Sequence, residues 1–146
     1  MRLLVAILVL ASCLPAFARE RESVEQLKAK VETASPKEKV TLALRVAEMQ
    51  TDAADKLYSN GKSDEAHAAI QDVVTYTEKA SDAATQSGKK LKDAEITVRK
   101  ISHKLADMKR SVNFDDQPPL QDAIDRLEKV RTQLLAKMFD LGKGSQ

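Results

Sequence analysis

The sequence predicts an all-α fold: an elongated antiparallel helical bundle built on one long central helix. Three observations carry this. Ala66, Ile70, Val73, Thr77, Ala80, Ala84, Ser87, Leu91, Ala94, Val98, Ile101, Leu105, Met108 and Val112 keep an unbroken 3-4-3-4 spacing, which holds one helical face toward a packing partner. No proline interrupts that stripe, and helix-capping residues bound the shorter apolar stripes on either side of it. Hydrophobic residues make up 42% and charged residues 32% of the chain, and alanine, leucine and lysine dominate, a composition typical of helical bundles.

The first 18 residues read as a targeting segment. Arg2 gives a minimal positive region, Leu3 to Ala11 form a short apolar run, and Pro15 precedes Ala16-Phe17-Ala18, a small-x-small cleavage pattern. Removal after Ala18 implies a periplasmic or secreted protein. Leu10-Ala11-Ser12-Cys13 offers an alternative, lipidation at Cys13 in the manner of a bacterial lipoprotein. Cleavage after Ala18 leaves no cysteine, hence neither disulfides nor thiolate metal sites. The expected plan is a signal peptide over 1–18, a helical domain over 19–142 and a disordered tail over 143–146.

Four helical segments are expected. The first, Arg19 to Ala34, carries Val24, Leu27, Val31 and Ala34 on one narrow stripe. The second starts at Ser35, which caps, followed by Pro36 at the first helical position and Glu38 completing a capping box. Its two stripes, Val40-Leu44-Ala47-Thr51-Ala54-Tyr58 and Leu42-Val46-Met49-Ala53-Leu57, require two neighbours. Asn60-Gly61 ends it, because glycine enters the left-handed conformation without steric cost. Ser63 caps the third helix, which would run to Val112, roughly 70 Å at 1.5 Å per residue. Asn113 to Gln117 and Pro118-Pro119 make a turn and restart. The last helix shows Leu120, Ile124, Leu127, Arg131, Leu134, Met138 and Leu141, and stops at Gly142.

On this plan the second and fourth helices tile the two halves of the long one and meet near Gly88. The alternative is a compact four-helix bundle, broken by a turn at Gln86-Ser87-Gly88-Lys89. One glycine inside a helix costs only about 1 kcal/mol relative to alanine, so Gly88 alone does not force the break.

The stretch from Ala54 to Val73, ADKLYSNGKSDEAHAAIQDV, resembles a tetratricopeptide helical hairpin, with Leu57, Gly61 at the turn, Asp64-Glu65-Ala66 and Ile70 in place. That family stacks helix pairs into peptide-binding surfaces, but no second copy follows at its 34-residue period. The same hairpin is similar to part of periplasmic cytochrome b562-like bundles, which ligate haem through a methionine and a histidine. The last helix here has no histidine and Ser81 stands about where a ligand would fall, so no cofactor is expected. The remainder looks like a domain of an exported bacterial family without an assigned activity.

The residues offer little chemistry. The formal net charge is +2, too small to pull the chain toward nucleic acid, and the aromatic residues are too few for stacking platforms. On one continuous helix His67 and His103 would stand about 50 Å apart and read as surface residues. The pairs Asp52/Asp55, Asp115/Asp116 and Asp122/Asp125 read as solvent-facing capping and solubility residues. Lys89 to Arg110 is basic, and Asp122, Asp125 and Glu128 of the last helix would neutralise its distal end near Arg110 and Lys104. Arg131, on the stripe opposite Ile101, would lay its stem along apolar surface with its head in water, or else make a polar contact that fixes register. Leu135 and Phe139 form a second apolar pair, which either meets the first helix or stays exposed.

The resulting expectation is an exported, non-enzymatic helical protein acting by protein–protein contact, as a scaffold or chaperone-like adaptor. Leu135, Phe139 and the basic residues Lys92, Arg99, Lys100 and Arg110 are the candidate partner-binding residues, and a homo-oligomer is one possibility. Two rival readings are an envelope-associated basic rod binding an anionic polymer or lipid, and a cofactor- or metal-binding bundle.

Overall fold

The structure, a computed structural model, describes residues 22–144. The expected signal peptide, its expected cleavage site and Cys13 lie outside the described residues. Five α-helices and no strand occur among the described residues: α1 Val24–Thr33, α2 Pro36–Ser59, α3 Ser63–Ser87, α4 Leu91–Ser111 and α5 Gln117–Lys143, with a short 3-10 turn at Phe114–Asp116 before α5.

Local chemistry sets most boundaries. Ser23 begins α1 by accepting from the Gln26 backbone N–H at 3.2 Å while its own N–H donates to Gln26 Oε1 at 3.0 Å, a reciprocal capping box. The helix therefore starts at Val24, later than the expected Arg19. Ser35 starts α2 as its sequence predicts: its backbone N–H and hydroxyl both donate to Glu38 Oε2, at 3.3 and 2.7 Å, and Pro36 follows at the first position. At the other end Lys62 N–H donates to Leu57 O and Gly61 N–H to Tyr58 O, with Gly61 at φ +72°. This is a Schellman closure, which satisfies carbonyls the last turn would otherwise orphan. α5 runs one residue past the expected stop at Gly142.

The long central helix does not form. α3 ends at Ser87, Gly88 and Lys90 both take left-handed conformations (φ +65° and +61°), and α4 restarts at Leu91. Ser87 secures the turn, donating its hydroxyl to Ala83 O at 2.7 Å and accepting from the Lys89 N–H at 3.2 Å. The compact alternative, a bundle broken at Gly88, is the architecture.

Four helices of 24, 25, 21 and 27 residues are each roughly 30–40 Å long at 1.5 Å per residue. α2 packs along α3 and α4 along α5, each pair joined by a tight turn; α3 also lies against α5 and α2 against α4. Cross-links between His67 and Asp116 and between Glu78 and Arg126 advance together along α3 and α5, so these two run parallel. Glu48–Lys100 and Asp52–Lys104 show the same for α2 and α4. α1 lies on the outside of the α2–α3 pair, with Leu27 and Val31 fully buried and Lys28 Nζ 2.6 Å from Asp72 Oδ2.

The core is the expected stripe seen from all sides. Of its fourteen members only Ser87 and Val112 are not buried. Leu27, Ile101, Leu105, Leu120, Leu127 and Leu134 are the largest fully buried side chains. Thr51 and Thr77 are also buried and donate to the carbonyls of Ala47 and Val73, so their hydroxyls cost little in an apolar seam. The second hairpin folds back onto the first instead of stacking beyond it, which closes a bundle where tetratricopeptide repeats would extend a solenoid.

Candidate interaction site at the lysine-rich end

The nominated residues lie along α4 and at the end of α5, with Lys92 at the start of α4, near that end, and Arg110 in its last turn at the other end of the bundle. Leu135 and Phe139 are one turn apart on the flank of α5 that also carries Glu128, and Glu128 Oε1 accepts from the Ser102 hydroxyl of α4 at 2.8 Å. That flank therefore borders α4. Leu135 is half-buried and Phe139 is 69% exposed. α1 sits on the far side, against α2 and α3, and covers neither. The open question about this pair resolves toward an exposed patch. Leu141 is 48% exposed, and its Cδ1 lies 3.6 Å from where a Cβ on Gly88 would stand, so the end of α5 abuts the α3–α4 turn. Lys89, Lys92 and Lys143 are exposed there and have no carboxylate within 4 Å among the described residues.

The basic face splits into used and unused charge. Lys100 Nζ is 3.4 Å from Glu48 and Lys104 Nζ 2.9 Å from Asp52. Both partners are on α2, so the expected neutralisation by Asp122 and Asp125 of α5 is replaced by α2. The cause is the break at Gly88, which brings α2 alongside α4. Arg99 lies 3.8 Å from Glu95, and Arg110 pairs with Asp107 of its own helix. Of the four nominated cations, Lys92 alone has no carboxylate within 4 Å among the described residues.

Arg131 makes a specific contact, which decides between the two sequence readings. Its Nε donates to Glu95 Oε1 at 2.7 Å, and Glu95 is only 8% exposed. Arg131 Nη1 also approaches Glu128 at 3.5 Å. A buried carboxylate gripped across the α4–α5 seam fixes the register of these two helices, since any slip strands the charge. Glu95 was not singled out by sequence; the only signal was a stripe position occupied by arginine.

At the opposite end, Asp116 is buried, contrary to its solvent-facing expectation. Its Oδ2 accepts from the Ser63 hydroxyl at 3.0 Å and its Oδ1 lies 3.1 Å from His67 Nε2. His67 is correspondingly half-buried and packs edge-on to Tyr58, ring centroids 5.8 Å apart; His103 stays exposed as expected. Serine, histidine and aspartate invite comparison with a hydrolase triad, but the wiring differs. The aspartate stands between the other two, so the Ser63 proton is committed to a carboxylate and no base addresses its oxygen. The cluster is a fastener, holding the α4–α5 turn to the start of α3.

Tyr58 borders this fastener with its hydroxyl buried and unpartnered. Burial, then the nearby Asp116 charge, push its phenol up to about 12 from 10.0. A raised folded-state value means the unfolded chain loses its proton first. Stability is therefore expected to hold below pH 10 and fall between pH 10 and about 12. Urea midpoints across that window, compared with Tyr58→Phe, check this: the variant should lose part of the alkaline decline, and identical profiles would refute it.

The α3–α5 seam carries a surface groove of about 480 Å³, lined by His67, Gln71, Thr75, Asp122 and Arg126 among others. Glu78 takes the Arg126 guanidinium with both carboxylate oxygens, at 2.7 and 2.9 Å, which leaves Asp122 as the carboxylate in the lining without an ion-pair partner among the described residues. No three His, Cys, Asp or Glu side chains converge on a metal-sized site among the described residues. No described helix is long and apolar enough to cross a membrane. The chain matches no protein-family model, no curated protein and no solved structure.

Proposed function

We propose that this chain is an exported, non-enzymatic helical protein that works by contact with another protein, as a scaffold or adaptor. The contact surface is the end of the bundle formed by the α3–α4 turn and the last turns of α5. The observation that carries this is Phe139, a large aromatic side chain 69% exposed one helical turn from Leu135. Exposed aromatics rimmed by polar groups are the usual anchors of protein interfaces. Around it lie Lys89, Lys92 and Lys143, uncommitted to internal pairs. Arg99, Lys100 and Arg110 support the surface less, because each already has a carboxylate nearby.

The direct test is chemical crosslinking and affinity capture of the purified protein in envelope extract, comparing the native chain with Phe139→Ser/Leu135→Gln. Capture should fall at least tenfold with helicity unchanged by circular dichroism. Capture that persists at the native level would rule this surface out. The unpaired lysines also favour a second reading, binding of an anionic envelope polymer or lipid. Retention on heparin that falls steeply with salt, and that survives Phe139→Ser, would support that reading over the first.

A further inference from the structure

Helix α1 is held to the rest of the chain differently from the other four. It has 10 residues, fewer than the roughly 12–15 at which an isolated helix becomes even marginal in water, so it depends on the surface beneath it. Its apolar hold is Leu27 and Val31, one turn apart and fully buried. α2 meets them with its second stripe, where Val46 is fully buried, because its first stripe is taken up inside the bundle.

Polar groups of α3 frame this contact. Asp72 accepts from Lys28 Nζ at 2.6 Å and from Gln50 Nε2 of α2, and Lys79 pairs with Glu32. Lys28 and Lys79 stand 5.8 and 5.2 Å from the ring centroid of the buried Tyr76, whose face attracts cations. The α2–α3 groove thus selects a helix with aliphatic residues at two positions one turn apart, a cation after the first and a carboxylate after the second.

The bundle of α2 to α5 closes on itself through the α2–α3, α3–α5, α4–α5 and α2–α4 contacts. α2 begins on its own capping box, Ser35 with Glu38, and on Pro36. Ala34 and Ser35, which join α1 to it, are both extended, so no helix runs across the junction. The Glu32–Lys79 pair is partly solvated, with side chains 58% and 38% exposed, and such pairs hold little. Two buried aliphatic side chains and these pairs stand against the entropy of ordering ten residues.

We propose that α1 is a displaceable strap, and that the α2–α3 groove beneath it docks an amphipathic helix of α1's own pattern from a partner protein. The structure seats such a helix there already. Helix-in-groove recognition uses apolar anchors one turn apart, and Asp72 and Lys79 set the orientation by charge complementarity. The tether favours α1, since a linked segment acts at an effective concentration on the order of millimolar. The groove therefore stays covered until a tighter-binding helix arrives. This surface is separate from the Phe139 end and does not depend on it.

Fluorescence anisotropy with a labelled peptide of residues 22–34 tests this on the full chain. Leu27→Asp/Val31→Asp, which releases α1, should bind the peptide at least tenfold more tightly than the native chain, with the helicity of α2 to α5 retained by circular dichroism. A peptide carrying Lys28→Glu should bind the released chain at least tenfold more weakly. Adding Asp72→Lys to that chain should recover the binding of this peptide. A released, folded chain that takes up no peptide at about 1 mM, the effective concentration of the tethered helix, overturns the proposal. So does a released chain that unfolds throughout, because α1 then belongs to the cooperative core. Hydrogen exchange on the native chain needs no variant: amides of Leu27 to Val31 should be at least tenfold less protected than those of Val98 to Leu105. Equal protection of the two segments overturns the strap.

Discussion

Replacing Asp116 with alanine is expected to destabilise the protein by about 2–3 kcal/mol, the range for hydrogen bonds to a charged group lost together with burial of their former partners. Asp116 is 9% exposed and takes both Ser63 and His67. Removing it leaves a serine hydroxyl and an imidazole nitrogen facing a small gap. With a urea dependence of about 1–3 kcal/mol per molar, the midpoint should drop by roughly 1–2 M. The effect also has a place: amides of the Phe114–Asp116 turn and of the first turn of α3 should lose hydrogen-exchange protection before those of the α4 core. Asp116→Asn, which keeps an acceptor for Ser63, should recover part of the loss. A midpoint within 0.3 M or so of the native value would refute this, since such a shift corresponds to less than about 1 kcal/mol.

The fastener also illustrates what the sequence could reveal. Much of the local chemistry was legible, although Ser63 does not cap α3 as expected but is its first residue and bonds Asp116. Ser35-Pro36 with Glu38 announced the start of α2, and Asn60-Gly61 announced its end, because these motifs act through neighbours three or four positions away. The buried faces were legible too, since a 3-4-3-4 stripe reports which side of a helix avoids water. Asp116 was not. Its burial depends on Ser63 and His67, some fifty positions upstream, and nothing in Asp115-Asp116 distinguishes the buried member from the exposed one. Glu95 was hidden for the same reason, although Arg131 on an apolar stripe hinted at a partner. At the candidate site, the offset of Leu135 and Phe139 from the main stripe correctly marked a surface apart from the core. The division of the lysines into paired and free was not readable, because it turns on which helix lies beside α4.

The break at Gly88 is the largest departure, and its cause sharpens the second prediction. Ser87 and Leu91 are four positions apart, so a three-residue turn between them preserves the spacing of a continuous helix. A stripe records the buried face and is silent about whether the axis goes on or doubles back. Glycine at position 88 therefore has opposite meanings in the two architectures. Within a continuous helix, Gly88→Ala would stabilise by about 0.5–1 kcal/mol, since alanine forfeits less backbone entropy. At φ +65°, the same substitution puts a Cβ against the following carbonyl and is expected to cost about 1–2 kcal/mol. The space itself is adequate, with Leu141 Cδ1 at 3.6 Å, so the penalty comes from the backbone and not from crowding. Lys90 already bears such a conformation at φ +61°, and Lys90→Asn should give a modest gain, asparagine being better tolerated there. Opposite signs at two positions two residues apart belong to a reversing turn, and a stabilising Gly88→Ala would restore the single long helix.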